Sequence, residues 1–245
     1  MDATRARRRA ALPLLAALLA TVLAGCGSKG GSAADSKPNG EAGKPARQVL
    51  DDAVAALKAA PSARAKGTAS AGNIDLSFAG TAVSGTISQA KGGPLQLVSD
   101  GSSVYVKGDA AFYQQFAGPD ATKVIGDKWI KAGANAFGGL SSFTLASLAD
   151  SLGKPKKLSD KTSTTVVNGQ QAVVLTDDGD GSTVSVALTG DPLPLRVTNK
   201  AQNSQIDLTG YGSTRADAPP PASKVVDLEK LQGAGGAAPS PSTTP

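Results

Sequence analysis

Apolar residues recur along this chain with two periods, and the switch falls at Pro61. Before it, Val49/Leu50, Ala53/Val54 and Leu57 repeat at three- and four-residue spacing, which predicts a helix over Ala46–Ala59. After it the period is two. Ile74, Leu76 and Phe78 alternate with Asp75 and Ser77; Val83, Gly85 and Ile87 alternate with Ser84 and Thr86. Leu95 and Leu97 flank Gln96, and Val104 and Val106 flank Tyr105. Gly, Asn, Asp or Pro bounds each run, so the region predicts an antiparallel meander with one buried face.

Helical spacing returns at Ala110–Ala117 and Thr144–Leu152, with a short strand at Lys128–Lys131 between them. Strands then resume at Thr164–Val167, Gln171–Thr176, Thr183–Leu188, Leu195–Asn199 and Gln205–Thr209. Asn168-Gly169 is a strong two-residue hairpin signal, and Asp177–Gly181 reads as a wider hairpin loop. The order helix, meander, helices, meander predicts an α+β fold: one strongly curved antiparallel β-sheet with helices segregated to one side.

The two ends of the chain have a different character. Arg5, Arg7, Arg8 and Arg9 precede an apolar run, Ala10–Val22, of 13 residues interrupted by Pro13. A spanning helix needs about 20 apolar residues, so the run reads as a cleaved signal. It leads into Leu23-Ala24-Gly25-Cys26, which looks like a bacterial lipoprotein signal with Cys26 as the acylated residue. Residues 1–25 are then a signal peptide, and residues 26–45 the lipidated cysteine and a flexible Gly/Ser/Lys/Pro tether. Residues 46–231 form the domain and 232–245 a disordered low-complexity tail. The expected location is the extracytoplasmic face of the cell membrane.

Composition removes several classes of function. The leader carries four arginines and one aspartate, so its loss lowers the net charge from +5 to +2. No basic stripe with interleaved aromatics remains, which argues against a nucleic-acid partner. Cys26 is the only cysteine, so no intrachain disulfide forms. The chain has no histidine, which excludes histidine triads, histidine bases and histidine-ligated metals.

The remaining motifs are weak. Ser88-x-x-Lys91 and Ser151-x-x-Lys154 match an acyl-enzyme spacing, but that chemistry needs the serine at a helix start. Ser88 lies in a strand pattern and Ser151 at a helix end. Asp177, Asp178 and Asp180 lack the distal glutamate of a calcium loop and read as a solvated hairpin. Lys154, Lys156, Lys157 and Lys161 form a local positive cluster, which reads as a solvated face or as a feature that orients the domain on an anionic leaflet. The expectation is a non-enzymatic protein without cofactor or metal.

Asp100-Gly101-Ser102-Ser103-Val104-Tyr105-Val106-Lys107, Lys128-Trp129-Ile130, Val167-Asn168-Gly169 and Ile206-Asp207-Leu208-Thr209-Gly210-Tyr211-Gly212 together carry a resemblance. Over roughly residues 48–220 the chain resembles actinobacterial envelope lipoproteins of the LppX/LprG type. The resemblance implies a LolA/LolB-like half-barrel with helices on its concave side. It also implies an apolar cavity for acyl chains, and a role in carrying or presenting lipids or lipoglycans. Ile74, Leu76, Phe78, Val104, Val106, Val184, Val186, Leu188, Leu195 and Val197 are the candidates to line that cavity; the same side chains would equally fill a core. The alternative is an envelope structural or interaction lipoprotein of the same fold with no lipid cargo.

Burying acyl chains is worth about 0.8 kcal/mol per CH₂, and two chains hold a protein stably where one does not. Cys26→Ser is therefore expected to move the chain from the membrane fraction to the soluble fraction. Retention of the variant in the membrane would refute the anchor.

Overall fold

The structure is a computed structural model that describes residues 37–69, 72–88, 93–117, 121–133 and 144–230. Cys26 and the C-terminal low-complexity segment lie outside the described residues. The first helix, α1 (Ala46–Ala59), precedes a meander of β1 (Ser62–Ala69), β2 (Gly72–Ala79), β3 (Ala82–Ser88), β4 (Pro94–Ser99) and β5 (Ser103–Lys107). Then come α2 (Ala110–Ala117), α3 (Ala121–Ile125), β6 (Trp129–Gly133) and α4 (Leu145–Leu152). The second meander is β7 (Ser163–Val167), β8 (Gln170–Asp177), β9 (Ser182–Ala187), β10 (Pro194–Asn199) and β11 (Ser204–Thr209). The short β12 (Val225–Asp227) closes the series.

The twelve strands make one curved, unclosed sheet in the order β12-β6-β5-β4-β3-β2-β1-β11-β10-β9-β8-β7. Each meander runs through its strands in sequence, and the β1–β11 pairing joins the two. All neighbours are antiparallel except β12 and β6. That exception follows from the connection. After β11 the chain runs as a Pro-rich strap, in which Gly212 N–H donates to Ser62 O and Asp217 N–H to Ser84 Oγ. It then enters β12 beside β6, and a crossing connection of this kind permits parallel pairing.

Cross-strand register builds continuous apolar rows on one face. One row runs Ile130, Val106, Leu97, Gly85, Leu76, Ala65 and Leu208. Another runs Leu95, Ile87, Ile74, Gly67, Ile206, Val197, Val184 and Leu175. Helix α1 lies on this inner face. Its Leu57 packs with Ala63, Ala65, Leu76 and Phe78, and its Val49, Leu50 and Ala53 pack with Val173, Leu175 and Val186. Leu145 and Ala149 of α4 join the first cluster. Helices α2 and α3 bury Tyr113 and Ile125 against Ile130; the Tyr113 hydroxyl donates to Lys128 O at 2.9 Å. Desolvation raises the Tyr113 pKa.

The opposite face carries paired charges beside a small buried apolar cluster of Val167, Ala172, Ala187 and Leu195. Arg64 holds Asp75 through both carboxylate oxygens, at 2.6 and 2.7 Å, and Arg196 holds Asp207 the same way. The hydrogen bonds from these guanidinium groups are the main cause that depresses the pKa values of Asp75 and Asp207.

The structure departs from the sequence reading at several places. Residues 37–45, which composition assigns to the tether, are held against the sheet. Pro38 bridges Thr189, Asn39 N–H donates to Leu188 O, and Asn39 Nδ2 donates to Ala187 O. Glu41 is buried, and Lys44 Nζ sits 2.6 Å from Glu41 Oε1 and 2.7 Å from Asp52 Oδ2. These contacts use polar side chains and backbone, which leave no hydrophobic period to read. Strands β1 and β12 and helix α3 also lack a clear period.

Gly67 and Gly85 sit mid-strand at φ +155° and +148°. A Cβ there would lie 1.9 Å from Gln205 O and 2.0 Å from Asp75 O respectively. Glycine in a strand interior marks a close backbone approach or a tight bend. Gly85→Ala is expected to cost about 1–3 kcal/mol, measured by urea unfolding; an unchanged midpoint would show that the strands relax freely around a methyl group.

Candidate functional site

Between α1, the end of α4 and strands β8–β10, the inner face is not completely filled. A cleft of about 180 Å³ remains there. Leu50, Leu152, Leu158, Leu175, Val184 and Val197 supply its apolar surface. Leu175, Val184 and Val197 come from a single cross-strand row. Ser151, Lys154, Lys156, Asp177, Asp180 and Ser182 supply its polar surface.

Each wall has a local cause. Helix α4 starts at Thr144, where Ser147 N–H donates to Thr144 Oγ1 and Thr144 N–H donates to Ser147 Oγ, a reciprocal cap. Lys58 of α1 pairs with Asp150 of α4 and lowers its pKa. After Gly153 and Pro155 the chain crosses to β8, and Asp177 fixes it there. The Asp177 carboxylate accepts N–H bonds from Lys156 at 2.6 Å and from Lys157 and Gly179 at 2.8 Å. Ser159 N–H donates to Thr176 O, and Asp178 N–H donates to Lys157 O, which completes the wall. Lys156 Nζ also approaches Asp180 Oδ2 at 3.7 Å, while Asp180 Oδ1 accepts Ser182 N–H. The aspartates of this hairpin thus serve to tie down the loop beside the cleft.

The ten candidate lining residues separate into three groups. Ile74, Leu76, Phe78, Val104 and Val106 share one close-packed cluster, each 7% exposed or less, with Val197 packed against it. Val186 is buried beneath α1, with Val184 and Leu188 beside it. Leu195 is separate. A register shift between Pro194 and Arg196 interrupts β10 there, and Leu195 clusters with Val167, Ala172 and Ala187. Strict alternation puts Leu195 on the same face as Val197; an extra residue in a strand reverses that assignment. Of the ten, only Val184 and Val197 line the cleft. Leu50 belongs to the apolar stripe that predicts α1, and Leu175 lies within the predicted strand Gln171–Thr176 without being singled out by it. Leu158, isolated after two lysines, carried no periodic signal.

Two wider grooves, of about 590 and 560 Å³, lie elsewhere. The first is walled mainly by polar and charged residues, Arg64, Lys66, Asp75, Thr86 and Asp217. The second mixes Pro38, Ala187, Leu193 and the candidate Leu195 with Lys37, Asn39, Gln170 and Asp191. The Tyr211 hydroxyl is already committed to Pro194 O, and burial raises its pKa. Among the described residues no cluster of His, Cys, Asp and Glu is arranged to hold a metal ion. No helix among them is long and apolar enough to cross a membrane.

No protein-family model matches the chain, and no curated protein matches it significantly. Solved structures do. The crystal structure of LprF from Mycobacterium bovis aligns with a TM-score of 0.50 and 13% identity, over 73% of this chain and 98% of that one. The Mycobacterium tuberculosis lipoprotein LppX aligns with a TM-score of 0.45 and 15% identity, over 70% and 98%. The Pseudomonas aeruginosa MucA/MucB complex aligns at 0.33 and 15%, over 73% and 59%. The likeness to LprF is one of fold.

Burial pushes the Asp177 carboxyl up, but its three N–H donors outweigh burial and the net pKa is lowered. A lowered folded value means that the stabilisation is complete above the unfolded value of about 3.9. It is lost as pH falls through the folded value. Asp177→Ala is expected to speed amide exchange at Lys156, Lys157 and Gly179 near pH 7, and its stability deficit should shrink as pH falls below about 4. A deficit that stays constant down to pH 2 would remove Asp177 from this role.

Proposed function

We propose that this chain is a non-enzymatic, membrane-anchored lipoprotein that binds lipid acyl chains and carries or presents lipids or lipoglycans in the cell envelope. Diacylglyceryl-modified Cys26 is the anchor in this reading, and the inner face of a LolA-like half-barrel is the binding surface. The observation that carries it is the cleft under α1 and α4, with Leu50, Leu152, Leu158, Leu175, Val184 and Val197 on its apolar side. The fold likeness to LprF supports the same reading.

The physical rationale is partition. A lipid moving through water exposes many methylenes, each costing about 0.8 kcal/mol. A cleft that replaces water with aliphatic side chains offsets this cost and makes few polar demands. Ligand pockets commonly hold about 300–1,000 Å³, and the cleft at about 180 Å³ is smaller. A two-chain lipid therefore requires the wall formed by α4 and residues 153–158 to move outward. This small volume, with Ile74, Leu76 and Phe78 packed in the core, favours the second reading: an envelope interaction lipoprotein with no cargo.

Native mass spectrometry of the chain purified from an actinobacterial host separates the two. The carrier reading expects an extra mass that organic extraction removes and that analyses as a defined lipid. Leu152→Trp, which fills the cleft from α4, is expected to lower lipid uptake at least tenfold with an unchanged circular dichroism spectrum. A clean apo mass with no uptake of offered lipids would leave the interaction-protein reading.

A further inference from the structure

The two edges of the sheet are built differently. Strand β12 has three residues, follows Pro219-Pro220-Pro221 and precedes Glu229 and Lys230. Short length, proline and charge are the usual devices that blunt an edge. Strand β7 has none of them. Ser163-Thr164-Thr165-Val166-Val167 is uncharged, lacks proline, and pairs with β8 in unbroken register. Its first four residues are exposed, and Val166, at 57%, is the one exposed large hydrophobic among the described residues. Among these residues only β8 pairs with it.

The hairpin fixes which backbone groups of β7 are free. Asn168 and Gly169 both have positive φ, at 51° and 82°, as a two-residue turn of the primed type requires. Val167 and Gln170, which flank the turn, then form a hydrogen-bonded pair. By alternation, Thr165 and Ser163 also direct N–H and C=O toward β8. Thr164 and Val166 direct theirs away from the sheet.

We infer that the β7 edge is a self-association surface, on which a second copy of this chain pairs antiparallel, β7 to β7, about a two-fold axis through Thr165. The register is self-consistent. Thr164 of one copy faces Val166 of the other as a hydrogen-bonded pair, twice, which uses all four outward groups of each strand. Thr165 faces Thr165. Charge selects the same arrangement. Antiparallel pairing carries Lys161 and Asp160 of each copy past the Asn168-Gly169 turn of the other, where β7 has ended, whereas parallel pairing sets Lys161 against Lys161 and Asp160 against Asp160. Like charges directly opposite destabilise a strand pair. The two-fold also brings the two exposed valines into diagonal reach on one face. A closed two-fold contact of this kind is isologous and stops at the dimer.

Two measurements on the full chain in detergent test this. The background is Cys26→Ser, which removes the one native thiol. Facing residues of a non-hydrogen-bonded antiparallel pair lie about 4.5 Å apart at Cα, within disulfide reach. Thr165→Cys is expected to give a disulfide-linked dimer under mild oxidation, and Thr164→Cys, displaced by two positions, little or none. Sedimentation equilibrium is expected to show a dimer whose Kd rises about tenfold or more with Val166→Pro, which removes one outward N–H per copy and leaves the β8 ladder intact. Val166→Lys tests the same edge without touching the backbone, with circular dichroism as the check on folding. A chain that stays monomeric, equal cross-linking at both cysteine positions, or a Kd indifferent to both Val166 variants would overturn the inference.

Discussion

An open sheet that buries one face must have something lie across that face, and in this protein α1 bears that requirement. Its apolar stripe reaches both halves of the sheet: Leu57 enters the cluster under the first meander, while Val49 and Leu50 enter the cluster under the second. All three are at most 2% exposed. Full burial of such a side chain is worth about 1.5–3 kcal/mol. The helix therefore couples two meanders whose backbones pair along the β1–β11 ladder. The Lys44 bridge to Glu41 and Asp52 ties the preceding segment to the same helix.

The cleft belongs to the end of this coverage. Where α4 stops at Gly153, the chain turns toward β8, and the wall changes from packed side chains to a loop held by a carboxylate. The apolar floor continues beneath it because the row Leu175, Val184, Val197 continues. A hydrophobic surface roofed by polar loop contacts has a weaker cover than one roofed by a helix. That contrast gives the site its character, whether a lipid tail or only water occupies it.

Much of the fold was legible in the sequence, since the period is strong wherever a strand has a wet face and a dry one. Strands β2, β3, β5 and β8, the helix Ala46–Ala59 and the Asn168-Gly169 turn were all readable from local pattern. What escaped has identifiable reasons. In β1 the inward residues are Ala63 and Ala65, too small to stand out against Arg64 and Lys66. Strand β12 exists because a strap delivers it to β6, a fact of topology with no local trace. Leu195 was assigned by alternation, and one extra residue in β10 cancels alternation. Of the site, the row Val184–Val197 was readable. The roles of Leu158 and Asp177 depend on a loop crossing that no spacing rule encodes.

The join between β1 and β11 also bears on how the chain reaches this form. Thr68 pairs with Gln205 and Arg64 with Thr209, so β1, among the first strands made, receives its second partner only when β11 is available. Pairings between residues so far apart in the chain form slowly, because loop closure precedes any reward from contact. During synthesis, which proceeds from the N-terminus, the first meander emerges with the β1 edge open. The protein therefore passes through a stage in which an apolar sheet waits for its other half, and the speed of that closure sets how long the incomplete chain is exposed to aggregation.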